Sequence, residues 1–198
     1  MKKILSIAVA VVCTVALLSA PSFATTIVTQ TSAPTVGLPN FTTFTLTAAS
    51  DQGNIIGFNF DSSGGSGFGF SGPMNQENPF GLITIFDDVS DAAFFGAGLD
   101  PSQDSHFNVA TADGIVVNPF ENGNKMTGAW NISSGSLAVL PLAQIVLPDG
   151  QIATYAGQIT VAAAGGNILE NVAGVVPEPG TLLLGGLGLV GMFVRRRS

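Results

Sequence analysis

Short runs of alternating apolar and small polar residues fill the middle of the chain and limit its fold more than any other feature. Phe44 and Leu46 alternate with threonines, and Phe58 and Phe60 flank Asn59. Successive side chains of a strand point to opposite faces, so a period of two buries one face. Further short runs lie at 68–70, 82–86, 106–110, 115–117, 125–132, 135–140, 143–147, 151–155 and 158–163. Strands this short predict an antiparallel all-β domain, most simply a β-sandwich, with a jelly roll or a barrel as alternatives.

Turn formers separate these runs, and Asp149-Gly150 is the sharpest of them. An Asp-Gly pair between two alternating runs suits a two-residue hairpin turn, which requires positive φ angles. It predicts that 143–147 pairs with 151–155. Residues 87–97 interrupt the alternation and are compatible with one helical turn.

Residues 1–24 have the organisation of a secretory signal peptide. Lys2 and Lys3 precede an apolar segment, and small residues place the expected cleavage after Ala24. The only cysteine, Cys13, lies inside the apolar segment, so the body has no disulfide. An exported domain of this kind must be held together by its hydrophobic core, and residues 25–176 are sufficient to build one.

The body is strongly acidic once the two ends are set aside. Five of the six basic residues lie at the ends, which leaves Lys125 alone against twelve carboxylates and gives a net charge of −11. Phosphate backbones and anionic membrane surfaces repel such a charge. We therefore do not expect the body to bind nucleic acid. Divalent cations are its natural counter-ions.

The C-terminal tail is built from three ordered parts. Pro177 and Pro179 break any helix, residues 181–194 carry no charge and no proline, and three arginines follow. Fourteen helical residues span about 21 Å, less than the ~30 Å hydrocarbon core of a bilayer. The tail therefore predicts a short transmembrane helix whose arginine end stays in the cytoplasm while the body lies on the other side.

This arrangement resembles the PEP-CTERM protein-sorting signal. The resemblance rests on Pro177, Glu178 and Pro179, on the glycine-bearing apolar segment, and on the membrane stop formed by Arg195, Arg196 and Arg197. It implies export from a Gram-negative bacterium, recognition of the tail by an inner-membrane exosortase, and cleavage near the triplet. It further implies that the tethered precursor is delivered to the cell surface or extracellular matrix, and it covers only residues 176–198. An ordinary tail anchor is the alternative.

Closely spaced carboxylates are the only residue cluster in the body whose chemistry suits metal binding. Calcium takes six to eight oxygen ligands, which aspartates with neighbouring carbonyls and hydroxyls provide. No calcium-loop motif is present, and solvated loop carboxylates are the simpler explanation. The candidate ligands are Asp87, Asp88 and Asp91 in one group and Asp100 and Asp104 in another.

Catalytic signatures are sparse. His106 is the only histidine, a surface or edge position is expected for it, and no Gly-x-Ser-x-Gly motif occurs. Carboxylate pairs for glycoside cleavage depend on the fold and cannot be read from spacing. Most aromatic residues are phenylalanines at alternating positions, typical of a core, and Trp130 is expected to be half-buried.

The sequence thus predicts a non-enzymatic, exported surface or matrix protein with a structural or adhesive role alongside exopolysaccharide. A calcium-dependent polysaccharide-binding module and a secreted glycan-active enzyme are the alternatives. The expected organisation is a signal peptide (1–24), a β-sandwich domain (25–162), a flexible linker (163–175) and a sorting tail (176–198).

Overall fold

The computed structural model describes residues 25–63 and 65–176. Ten strands, one α-helix and three 3-10 turns form the described part of the chain. The strands are β1 (Thr26–Pro34), β2 (Phe41–Ser50), β3 (Asn54–Asn59), β4 (Gly69–Ser71), β5 (His106–Phe107), β6 (Gly114–Asn122), β7 (Lys125–Ile132), β8 (Leu140–Pro148), β9 (Ala153–Ala163) and β10 (Gly166–Val176). The helix is α1 (Asp87–Ala97), and the 3-10 turns are Pro79–Gly81, Pro101–Gln103 and Thr111–Asp113. The all-β prediction is confirmed.

The strands form two antiparallel sheets. One has the order β1-β2-β8-β5. In the other, β3 and β4 share the central position between β9 and β7, with β10 outside β9 and β6 outside β7. No helix in residues 25–63 and 65–176 is long and apolar enough to cross a bilayer.

One hydrophobic core receives side chains from both sheets. Along β2 every second side chain is buried, including Phe44 and Leu46, as the alternation predicted. Phe107 on β5 meets Phe58 on β3 with ring centroids 4.7 Å apart, and Phe70 lies 5.8 Å from Phe107. Phenylalanine has no polar atom to satisfy, so these rings join the two sheets by dispersion and burial alone.

The predicted hairpin at Asp149-Gly150 is wrong, because β8 and β9 belong to different sheets. Of the two turn residues only Gly150 has a positive φ, +92°, and the N–H of Gln151 donates to the carbonyl of Pro148 at 3.1 Å. A two-residue hairpin of type I′ needs positive φ at both positions, whereas one positive φ at the second position is the type II pattern and splays the strands. The turn therefore carries the chain from one sheet to the other.

The predicted flexible linker at 163–175 is also wrong. β10 occupies most of it and pairs with β9 in register from Gly166–Ala163 to Val176–Ala153. Val176 is fully buried and Val172 is 6% exposed, so the strand contributes to the core as well as to the sheet. Its small residues suit a tightly paired edge strand as well as a linker, and only the pairing with β9 distinguishes the two.

Residues 87–97 form a full helix where one turn was expected. Asp87 and Asp88 lie in its first turn, where carboxylates interact favourably with the helix dipole. The helix ends at Gly98, whose φ of +71° is the usual left-handed cap, and Phe94 anchors it by complete burial.

Two runs predicted as strands, 82–86 and 135–140, form little more than single bridges. Phe86 bridges Phe107, and Leu137 bridges Ile55. The rest of 82–86 lies outside the ladders, with Leu82 and Ile83 exposed, whereas 135–140 ends at Leu140, where β8 begins. The runs at 151–155 and 158–163 merge instead into the single strand β9.

Candidate functional site

A cleft of about 420 Å³ opens between the start of α1, the Thr111–Asp113 turn and the start of β8. Such a volume fits a small ligand or one end of a longer one. Its polar lining residues are Asp87, Asn108, Asp113, Ser133 and Ser134, and its other lining residues include Val109, Trp130, Ile132, Leu137 and Pro141. Carboxylates, an amide and hydroxyls together provide hydrogen-bond donors and acceptors for a ligand rich in hydroxyl groups.

Four hydrogen bonds fix the walls of this cleft. The N–H of Thr111 donates to Asp88 Oδ1 at 2.9 Å, and its hydroxyl donates to Asp88 Oδ2, which ties the 3-10 turn to α1. The indole N–H of Trp130 donates to the carbonyl of Ala110 at 3.1 Å. The N–H of Ser133 donates to the carbonyl of Asp113 at 2.9 Å. Trp130 is 2% exposed, so it is more deeply buried than the sequence predicted.

His106 lies behind the cleft and contacts Asp87. Its Nε2 is 3.5 Å from Asp87 Oδ1, and hydrogen bonding to His106 lowers the pKa of the Asp87 carboxyl. His106 is on β5, an edge strand as expected, yet it is only 4% exposed, so the predicted surface position is wrong. Its Nδ1 is buried and has no hydrogen-bond partner among the described residues.

A second polar group lies in the interior around Thr84. Its hydroxyl oxygen is 3.0 Å from Glu121 Oε1 and 3.3 Å from Asp104 Oδ2, and the N–H of Thr84 donates to Glu121. Asp104 is fully buried, and Glu121 is 9% exposed. Burial raises the pKa of Asp104 to about 8, since removing a carboxylate from water disfavours its charged form. Burial also raises the pKa of Glu121.

The predicted calcium ligands do not come together as the two sequence groups. Asp87 turns to His106 and Asp88 to Thr111, while Asp91 remains on α1, partly exposed. Asp100 caps the Pro101–Gln103 turn through the N–H of Ser102 at 2.9 Å and is exposed, whereas Asp104 points into the core. Across residues 25–63 and 65–176, no three His, Cys, Asp or Glu side chains are grouped as metal ligands.

The sequence did not predict two residues that are central to the cleft and to the buried polar group around Thr84. Neither Asp113 nor Glu121 was among the candidate site residues that the sequence indicated. No local pattern marks Glu121 as buried, because its partners Thr84 and Asp104 are far away in the sequence.

The sorting residues Pro177, Glu178, Pro179 and Arg195 to Arg197 lie outside the described residues, as does the predicted signal peptide. Residues 175–197 match the family model of the PEP-CTERM protein-sorting motif. No curated protein and no solved structure matches the chain. The tail is thus a PEP-CTERM sorting motif, and the chain is exported, recognised by an exosortase and processed at the membrane.

Proposed function

We propose that the exported domain is a two-layer β-sandwich that acts without catalysis as a structural or adhesive component of the surface polymer layer of a Gram-negative cell. The observation that carries this proposal is the junction of the fold with the sorting motif. β10 ends at Val176, which is fully buried and pairs with Ala153, and the motif begins at residue 175. The domain is therefore complete at the point where processing releases it.

This junction also sets the distance between the domain and the membrane. Four residues, 177–180, lie between Val176 and Thr181, the first residue of the apolar segment. The five Cα–Cα steps from Val176 to Thr181 reach about 18 Å even when fully extended. The precursor holds its β-domain close to the membrane face, so the cut near Pro177 is what lets the domain move outward into the polymer.

The surroundings of His106 favour a non-catalytic role. Its Nε2 contacts a carboxylate and its buried Nδ1 has no partner within the described ranges. A hydrolase of the Ser-His-Asp type needs a hydroxyl nucleophile on one nitrogen and an orienting acceptor on the other.

Polysaccharide binding is the second candidate, and the cleft favours it. Asn108, Asp113, Ser133 and Ser134 contribute side chains to one concave surface, and Asp113 and both serines are exposed. Sugar hydroxyls form hydrogen bonds with such a set of groups. A glycan-active enzyme would further need two carboxyl groups placed across the scissile bond. Among the residues that line the cleft, only Asp87 and Asp113 carry a carboxyl group.

The structural role is tested by fractionating the native host. We expect the processed protein to remain with the washed polymer layer and to be released when that polymer is enzymatically degraded. A processed protein found free in the medium of cells with intact polymer would contradict the proposal.

The second candidate is tested by binding to the purified host polysaccharide. We expect the double variant Asn108→Ala, Asp113→Asn to lose at least tenfold in affinity, whereas Asp51→Asn, an exposed change outside the cleft, keeps it. Equal affinity in all three proteins would exclude the cleft as the binding site.

A further inference from the structure

Too few hydrogens are available for the oxygens that meet at Thr84. Its hydroxyl oxygen lies 2.9 Å from the carbonyl oxygen of Glu77, 3.0 Å from Glu121 Oε1 and 3.3 Å from Asp104 Oδ2. A threonine hydroxyl has one hydrogen and can serve one acceptor. With Glu121 ionised, a proton on Asp104 would supply one more hydrogen and would still leave one close oxygen pair without any.

Buried polar atoms without hydrogen-bond partners are a second sign of a ligand at this cluster. Glu121 is 9% exposed, and while its Oε1 accepts from Thr84, its Oε2 is buried and has no partner in the described part of the chain. Gln76, next to Glu77, has both amide atoms buried and likewise unpartnered there. A buried carboxylate oxygen without a partner is costly, so a group that satisfies it is expected at this position.

We propose that Glu77, Thr84, Asp104 and Glu121 form an internal calcium site. The Glu77 carbonyl, the Thr84 hydroxyl, one oxygen of Asp104 and both oxygens of Glu121 supply five of the six to eight oxygens that Ca²⁺ takes. Oxygens bound to one Ca²⁺ at 2.3–2.6 Å lie about 3 Å from one another, and the Thr84 hydroxyl oxygen has this spacing to the Glu77 carbonyl oxygen and to Glu121 Oε1.

Charge also favours a divalent cation. When both are ionised, as calcium ligands must be, Asp104 and Glu121 carry two negative charges in the interior, and one Ca²⁺ balances them. Magnesium fits less well, because it demands near-octahedral geometry and keeps several waters, for which a buried cluster offers little room. The site takes its ligands from four distant positions and only two carboxylates, so it has neither a loop motif nor the three-carboxylate grouping by which calcium sites are usually recognised.

The test measures thermal unfolding and direct calcium binding of the full chain in mild detergent, with CaCl₂ or with EDTA. At a hundredfold excess of calcium over Kd we expect the Tm of the parent protein to rise by about 5–10 °C. Asp104→Asn and Glu121→Gln should lose this rise and bind at least tenfold more weakly in isothermal titration. Asp91→Asn and Asp100→Asn, which change carboxylates outside the cluster, should behave like the parent.

Two results would overturn the proposal. One is a parent protein whose Tm and titration heat do not respond to millimolar calcium. The other is a calcium response that persists in Asp104→Asn and Glu121→Gln but disappears in Asp91→Asn or Asp100→Asn. Asp104→Asn keeps a buried polar side chain of the same shape, so it should fold in EDTA and give an interpretable result even if Glu121→Gln does not.

Discussion

Val176 pairs with Ala153 at the far end of the β9–β10 hairpin, and both side chains are fully buried. The folded domain therefore extends to the residue before Pro177, where a flexible connection to the membrane tail had been expected. We therefore expect processing near Pro177 to take place directly beside a folded edge strand, with no linker to help present the tail.

The extended segment can be tested by replacing Pro177 and Pro179 with alanine. Prolines favour an extended backbone and keep neighbouring residues out of a helix, whereas alanines would let the predicted helix grow upstream and hide its peptide groups in its own hydrogen bonds. We expect the double variant to accumulate as a precursor while the β-domain stays folded. Precursor size on gels and cell association give the readout, and normal cutting and release would show that the prolines only stop a helix.

The arginines at the end of the tail give a separate prediction. In the predicted topology, the charge on Arg195, Arg196 and Arg197 holds this end of the tail in the cytoplasm, and neutral replacements remove it. We expect the predicted short helix then to slip through the membrane uncut, so that full-length protein leaves the cell fraction. Replacing the same three residues by lysine keeps the charge and should preserve processing; loss of processing in the lysine variant would mean that charge is not the deciding property.

The buried carboxyl of Asp104 predicts a pH dependence of stability in the metal-free protein. Its pKa is raised from 3.8 to about 8 on folding, so its contribution is fully present below 3.8 and is lost as the pH rises through about 8. Between these values the free energy of unfolding should fall by up to about 1.4 kcal/mol per pH unit from this group. Asp104→Asn is neutral at every pH and should lack this slope.

The measurement is denaturant unfolding in EDTA from pH 4 to pH 9. The difference in unfolding free energy between the parent and Asp104→Asn isolates the buried carboxyl from the exposed ones. Asp100→Asn, a change at an exposed carboxyl, should retain the slope of the parent. Parallel pH profiles for the parent and Asp104→Asn would mean that Asp104 is ionised in the folded protein at neutral pH.

Gly114 and Gly96 make a matched pair of glycine-to-alanine changes. A Cβ at Gly114 would overlap the indole nitrogen of Trp130 and the carbonyl oxygen of Asn131, whereas a Cβ at Gly96 meets nothing within 4 Å. We expect Gly114→Ala to lower the free energy of unfolding by about 1–3 kcal/mol and to weaken the Trp130–Ala110 contact at the cleft. Gly96→Ala, inside α1, should raise it by up to about 1 kcal/mol. Urea unfolding followed by tryptophan fluorescence measures both, and equal effects would contradict the packing described around Trp130.

Local pattern was enough to predict where some of the strands lie. β7 runs from Lys125 to Ile132, the bounds that the alternation indicated, and β2 buries the side of Phe44 and Leu46. The sequence pattern failed where the structure of a segment depends on which strand it pairs with. β10 has few buried side chains and owes its place to pairing with β9, and the Asp149-Gly150 turn is set by how β8 pairs with β2.

The sites were less predictable than the fold. In the sequence the aspartates formed two groups of possible calcium ligands. In the structure Asp88 accepts hydrogen bonds from the Thr111–Asp113 turn, and Asp104 is buried with Glu121. Burial and long-range contact decide what a carboxylate does, and neither is visible in residue spacing.

Release of the folded domain by an exosortase is tested by intact-mass analysis of the protein from the surface fraction. We expect one species that begins at Thr25 and ends near Pro177, immediately after β10. A mature species that still carries Arg195 to Arg197 would contradict it, because the domain would then be held by an ordinary anchor and not released by an exosortase.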